Sequence, residues 1–340
     1  MSKPQIVHLV DDTTPGGVMR VLDHILTAPG LGADADHSLR RVEKGTVMAR
    51  RIEADVIVSH LSVNWRGLPH LIALRALHPD TPLVHVEHSY TEGFAALNVP
   101  HKGRFQTLLR VAFALFDRVV GVSRAQGDWL VNRGLVNPEA LSVIRSCVAL
   151  DGFRALPDPQ VRRVIGAIGR LHRQKGFDTL IAAFRALTDA DIALHIHGDG
   201  PERDRLRDLA GADRRIRFFG HGGDPAAIMA QVDIVAIPSR WEAYGLVALE
   251  AQAARRPLLV SNVDGLRDHV ATGATPVQNC SVAAWTAALR AELAAPRSGT
   301  AQQPAPWAED AFATGWRQLI ADLTGANPVA QRLRKQPTAA

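Results

Sequence analysis

The chain has 340 residues, 46% hydrophobic and 21% charged, which is long enough for two domains with separate cores and too apolar for a disordered protein. Its two cysteines, Cys147 and Cys280, have no CxxC partner, which excludes a disulfide scaffold and a thiolate zinc site and fits a reducing compartment such as the cytoplasm. The formal charge of +5 is spread thinly, with 17 Lys and Arg against 15 Asp and Glu in residues 1 to 155, so no nucleic-acid-binding stripe emerges.

Short apolar runs that read as buried strands alternate with segments of helical period, the pattern of stacked βα units around parallel sheets. The first strand is expected at Ile6 to Val10. After the turn-rich DDTTPGG, Val18, Val21, Leu22, Ile25 and Leu26 mark one face of a helix. Further strands are expected at Val56 to Ser59, Leu83 to Val86 and Val119 to Val122, with helices at Leu68 to Leu77, Phe105 to Phe116 and Ala125 to Arg133. The pattern breaks at DGFRALPDPQVRR and a second series follows, with strands at Val164 to Ile168, Ile192 to Ile196, Ile216 to Phe219, Ile234 to Ile237 and Leu258 to Ser261. The expected division is an N-terminal domain at 1–155, a C-terminal domain at 156–305, a helix within 306–325 and a basic tail at 326–340. No apolar run reaches the roughly 20 residues of a membrane-spanning helix. The opening MSKPQIVHLVDD carries acids where a secretory signal would stay apolar, so neither export nor membrane spanning is expected.

Three segments carry candidate chemistry. SRWEAYGLVALE, Ser239 to Glu250, follows a strand and holds two acids eight positions apart. A helix opening at Tyr244 or Gly245 would present free amides of Gly245, Leu246 and Val247 to an anion, aided by the helix dipole. Eight helical steps of about 1.5 Å would separate Glu242 from Glu250 by roughly 12 Å, the scale of a sugar nucleotide; the alternative is two ordinary helix-surface acids. GRLHRQKG places Arg170 and Lys175 at the carboxyl end of a parallel strand, where open α/β sheets bind ligands and where two cations suit a diphosphate; a solvated basic loop is the alternative. HGDGPERDRL is a glycine turn into a helix.

In this order, IGRLHRQKGFDTLIAAF, HIHGDGPERDRL, IRFFGHGGD and VDIVAIPSRWEAYGLVALEAQAARRPLLVSNVDGLRDHV resemble the carboxyl-terminal domain of retaining family 4 glycosyltransferases of the GT-B fold, over roughly residues 164 to 270. The resemblance implies an α/β protein of two Rossmann-like, doubly wound parallel-sheet domains facing across a cleft. The second domain would bind a nucleotide diphosphate-sugar donor and the first an acceptor. Carried over, Arg170 and Lys175 would contact the diphosphate, Glu242 the transferred sugar and Glu250 the ribose, with Phe219, Gly220 and His221 flanking the base. Gly16 and Gly17 match the family's glycine loop after the first strand, although Val18, Met19 and Arg20 stand where many relatives have an acid. His88 matches a histidine beside the transferred sugar, and His85 is the competing choice, better suited to core packing. No DxD pair suggests a metal ion, and no cofactor beyond the donor substrate is expected.

Retaining, metal-independent sugar transfer to a glycan or lipid-linked acceptor, in cell-envelope polysaccharide or lipopolysaccharide synthesis, is the expected activity. The alternatives are a phosphorylase or epimerase on the same fold, an inactive transferase-like subunit, and a nicotinamide oxidoreductase, the last disfavoured by the lack of GxGxxG. HKGRFQTLLRVAFALFDR, at 101–118, combines Lys102, Arg104, Arg110 and Arg118 with aromatic residues. It suggests peripheral contact with the inner face of the cell membrane, the alternative being a core-packed helix with a basic outer face.

Overall fold

Two parallel sheets organise the computed structural model, which describes residues 3–44, 50–295 and 307–325. The first contains β1 (Gln5–Val10), β2 (Asp36–Arg41), β3 (Val56–Ser59), β4 (Leu83–Glu87), β5 (Arg118–Gly121) and β6 (Leu141–Val143), in the order β2-β1-β3-β4-β5-β6. The second contains β7 (Val164–Ile168), β8 (Ala193–His197), β9 (Ile216–Gly220), β10 (Ile234–Ile237), β11 (Leu258–Ser261) and β12 (Thr275–Val277), in the order β12-β11-β10-β7-β8-β9. The inner strands β3, β4, β10 and β11 are buried along their whole length. Parallel sheets are covered on both faces, so these strands read as continuous apolar runs rather than as alternation.

The strands unforeseen in the sequence, β2, β6 and β12, all lie at sheet edges. β2 has the sequence DHSLRR and no buried residue, so it offers neither an apolar run nor a clean alternation. Its place is fixed by backbone pairing with β1, in which Gln5 faces Asp36 and Ile6 faces His37.

The chain divides into two compact units. Unit 1 takes the described residues of Met1–Tyr90, Ala95–Val148 and Trp307–Ala340, and unit 2 those of Thr91–Phe94 and Ala149–Pro306. The late helix Trp307–Thr324 belongs to unit 1: Phe312 packs on His24, Trp316 meets His8 edge-on, and Gly315 lies against Ile144. In unit 2 the helix Phe177–Arg185 buries Phe177, Leu180, Ile181 and Phe184 against the sheet and Trp285. Emptying the Phe184 position to Ala would cost about 3–5 kcal/mol. The connector at 296–306 and the tail at 326–340 lie outside the described residues.

Each sheet has a point where successive connections leave in opposite directions, between β1 and β3 in unit 1 and between β7 and β10 in unit 2. Such switch points open a crevice at the carboxyl ends of the strands. The loops that begin with Asp11 and His60, and those that carry Lys175 and Glu242, emerge there.

Candidate active site

In unit 2, β7 runs into Gly169, Arg170 and a single 3-10 turn, Arg173–Lys175, closed by left-handed Gly176 at φ 66°. A Cβ on Gly176 would stand 2.0 Å from the carbonyl oxygen of Pro238, so the loop can lie this close to the end of β10 only because the side chain is missing. Gly198 does the same after β8, where a Cβ would meet the Gly169 carbonyl oxygen at 1.9 Å. This close approach brings Lys175 Nζ to 2.5 Å from Glu242 Oε2, which also accepts a hydrogen bond from Ser239 Oγ at 3.1 Å. Both side chains of the ion pair are largely buried. Glu242 is therefore not a helix-surface acid, and Lys175 is not part of a solvated loop. Arg170 is exposed, and its guanidinium makes no hydrogen bond among the described residues.

The helix after β10 is Leu246–Ala253, with Gly245 as its N-cap at φ 95°. Residues Glu242 to Gly245 are not helical, so the eight-step estimate of the Glu242 to Glu250 separation does not apply. The first-turn amides of Leu246 and Val247 have no acceptor within the helix. Glu250 is buried on this helix, and the Tyr244 ring lies tilted at 4.5 Å against His269, whose Nε2 lies 3.1 Å from the Tyr244 carbonyl oxygen. Phe219, 48% exposed, lies flat on His197 with ring centroids 4.5 Å apart and planes 7° apart, and meets His195 at 4.8 Å. Gly220 ends β9 at φ 76°, and His221 is exposed beside it.

Sequence reasoning missed Asp264. Its Oδ2 accepts from Thr91 Oγ1 at 2.7 Å and from the Glu242 amide at 3.3 Å, and its Oδ1 accepts from the Gly93 amide at 3.0 Å, all within unit 2. Its φ of 39° is unusual for a residue with a side chain. Burial raises its pKa above the ordinary carboxylate value despite the hydrogen bonds from Gly93, Thr91 and Glu242. The only sequence signal is the Asp-Gly step within NVDGLRD, which follows β11.

In unit 1, His88 follows β4, where Glu87 Oε1 accepts from the amides of Ser89 and Tyr90 and holds the turn. His88 Nε2 lies 2.8 Å from His60 Nδ1. Burial lowers His88 to about 4, against the opposing charge of Glu87 and with the help of His85. His85 packs between Phe113 and Phe116 inside the core. Gly16 is extended at φ 178° and has room for a Cβ, so its backbone geometry does not demand glycine, and Gly17 opens the helix Gly17–Thr27. Beside them a polar recess of about 470 Å³ is lined by Asp11, Asp12, Thr13, Thr14, Arg41 and Lys44, among others.

The helix Lys102–Phe113 sends Leu108, Leu109, Ala112 and Phe113 into the core, as does Phe116 beyond it. Arg110 donates to the carbonyl oxygens of Arg133 and Gly134, while Arg104 stands over the Trp65 ring. Most of the apolar face is thus consumed by packing, and Lys102, Arg104 and Arg110 face outward together with Thr107 and Val111. Among the described residues, no helix is long and apolar enough to cross a membrane, and no group of three or more His, Cys, Asp or Glu side chains is arranged to hold a metal ion.

Residues 6–151 match the family described as Glycosyltransferase Family 4, and residues 162–294 match Glycosyl transferases group 1. Glycogen synthase of Mycobacterium tuberculosis H37Rv is 35% identical over 182 residues, covering 50% of this chain and 43% of that protein. D-inositol 3-phosphate glycosyltransferase of Corynebacterium aurimucosum is 36% identical over 278 residues, covering 70% and 63%. The chain spans less than two thirds of either relative's length. Among solved structures, Anabaena HepE in complex with UDP and glucose has a TM-score of 0.66 at 18% identity, covering 98% of this chain and 100% of that one. A likeness at that identity speaks for the fold.

Proposed function

This chain belongs to the family 4, or group 1, glycosyltransferases of the GT-B fold, and we propose that it moves a sugar from a nucleoside diphosphate to a hydroxyl of a glycan or lipid-linked acceptor. The observation that carries the reading is the Lys175–Glu242 pair, set by Gly176 at the switch point of the second sheet. As the bond from the anomeric carbon to phosphate breaks, negative charge grows on the diphosphate. Lys175, Arg170 and the amides of Leu246 and Val247 are cationic or dipolar groups of the sort that stabilise such charge. Glu242 orients Lys175 and binds hydroxyls of the transferred sugar. Glu250 takes the ribose hydroxyls, and Phe219 stacks on the base between Gly220 and His221.

Transfer proceeds with retention, the leaving phosphate oxygen taking the acceptor's proton on the same face, so no carboxylate nucleophile is required. Two cations and a helix terminus supply the charge that a divalent ion would otherwise bring, and the reaction is metal-independent. The polar recess at Asp11 to Thr14 suits a hydroxyl-rich acceptor, held by residues 1–155, while 156–305 hold the donor. The known partnership of HepE with UDP and glucose makes a UDP-sugar the first donor to test.

The test is release of nucleoside diphosphate from UDP-, GDP- and ADP-sugars in the presence of EDTA, with acceptor glycans added. One donor is expected to be consumed with the product's anomeric configuration unchanged. Inversion, or a strict need for magnesium or manganese, would overturn the mechanism. Sugar 1-phosphate formed with inorganic phosphate as acceptor would replace transferase by phosphorylase. At the inner face of the cell membrane, Lys102 and Arg104 would add about 1 kcal/mol each toward anionic lipid without inserting the helix. Co-sedimentation with anionic vesicles that survives Lys102→Gln with Arg104→Gln would remove this attachment.

A further inference from the structure

A row of four imidazoles crosses unit 1, joining β2, β1 and the loops after β3 and β4. His37 Nδ1 lies 3.0 Å from His8 Nε2, His8 Nδ1 lies 3.0 Å from His60 Nε2, and His60 Nδ1 lies 2.8 Å from His88 Nε2. At every junction an Nδ1 of one ring faces an Nε2 of the next. Burial holds His8 down to about 3 and His88 to about 4, and lowers His60 and His37 too. The row is therefore neutral at pH 7.

A neutral imidazole has one N–H and one lone pair, and a hydrogen bond between two such rings needs one of each. The four rings can satisfy all three junctions in only two ways. Either every ring carries its proton on Nδ1, so that donation runs from His37 toward His88, or every ring carries it on Nε2, so that donation runs the other way. Any mixed arrangement sets two N–H groups or two lone pairs against each other. The far end decides. His37 Nε2 is buried and has no partner among the described residues. Donation away from His88 would leave an N–H there with no acceptor, whereas donation toward His88 leaves an unused lone pair, and orphaned buried donors are the rarer and costlier of the two.

We propose that His37, His8 and His60 are positioning residues that fix His88 as a neutral imidazole with its proton on Nδ1, pointing a hydrogen-bond donor at the ligand. His88 Nε2 is engaged by His60, and Nδ1 has no hydrogen-bond partner among the described residues, so a bound ligand meets an N–H. His88 then cannot take a proton from the acceptor at that atom. It serves as a donor to an oxygen of a ligand bound at the crevice of unit 1, a role that rests on the transferase reading above. Because His37 Nε2 is buried without a partner among the described residues, no group there passes protons in at the far end, and the row acts as a lock rather than a conduit. Each ring polarises the next, which strengthens the lock.

Two-bond 1H–15N spectra of 15N-histidine protein, with His88 assigned by its loss in His88→Gln, read the tautomer without any substrate. The expected pattern at pH 7 is a neutral His88 protonated on Nδ1. His60→Asn keeps an amide donor toward His88 and should retain that pattern. His60→Phe should shift His88 toward the Nε2 tautomer and lower kcat about tenfold, with Asn restoring most of the loss. His88 protonated on Nε2 or charged in the unaltered protein overturns the proposal, and this measurement stands even where a variant fails to fold. An unchanged tautomer in folded His60→Phe overturns it as well. Failure of the transferase reading would show separately, as absent sugar transfer beside an intact tautomer pattern.

Discussion

The loops that carry Lys175 and Glu242 in unit 2 and the histidine row in unit 1 both build a polar centre at a sheet's switch point, but by opposite means. The first relies on charge, an ion pair brought together by loops that approach through glycine. The second relies on neutrality, four rings whose burial suppresses protonation and whose order is set by hydrogen bonds alone. Where negative charge must be met, a cation is set beside an anionic partner. Where a donor must have a fixed direction, charge would scramble it, because an imidazolium donates from both nitrogens.

The comparison breaks first at Lys175. Lys175→Ala should reduce turnover by about 10² to 10³ if its charge meets the leaving diphosphate. Calorimetry then separates the acids: Glu242→Ala should weaken the intact donor more than the free nucleoside diphosphate, and Glu250→Ala should weaken both. Equal losses for both ligands in both variants would cancel the assignment of roles.

Next come the opposite pH signs of the two units. His8 and His88 have folded pKa values of about 3 and about 4, below the unfolded value near 6.5. Their contribution is fully present above pH 6.5 and is lost as pH falls toward the folded values, at about 1.4 kcal/mol per pH unit for each group that titrates. Glu87 and His85 face His88 and act in opposite senses, Glu87 reducing the slope and His85 adding to it. Urea unfolding from pH 7 to 4 should show the decline, and His8→Phe should flatten it. Asp264 behaves in reverse, since its raised folded pKa gives stability that is present below the unfolded value near 3.9 and is lost as pH rises through the folded one. Asp264→Ala should cost about 2 kcal/mol, and the difference from the unaltered protein should shrink with rising pH. A flat difference would mean that Asp264 does not titrate in this range. The smallest effect is expected at Phe219→Ala, which should weaken nucleotide binding by about 1 kcal/mol. No change would leave the Phe219 face without a base to stack on.

What could be read from the chain follows the same divide. The inner strands were legible because burial on both faces writes an apolar run into the sequence, and β2, β6 and β12 were not, because these edge strands are short or polar and are held by backbone pairing, whereas the edge strand β9 still carries the apolar Ile216, Phe218 and Phe219. The donor loops were legible because Arg170 and Lys175, or Glu242 and Glu250, sit within one short segment. The histidine row was hidden, since His8, His37, His60 and His88 are spread over four elements and one of those is the unforeseen β2. Only the register in which Ile6 faces His37 sets that ring beside His8. Asp264 was hidden for a related reason: its partners Thr91 and Gly93 lie far back in the chain.

The helix Trp307–Thr324 has a further consequence, in the order in which the protein is made. Unit 1 begins the chain, yet its core lacks Phe312, Trp316 and Leu319 until all the described residues of unit 2 have been synthesised. The ribosome thus delivers the later unit complete while the earlier one still waits for its closing helix. For as long as it waits, the surface that receives Trp316, including the edge of His8, stands uncovered. At synthesis rates of about 5–20 residues per second the delay is roughly ten seconds or more, a window in which a chaperone rather than the protein's own helix would have to cover that surface.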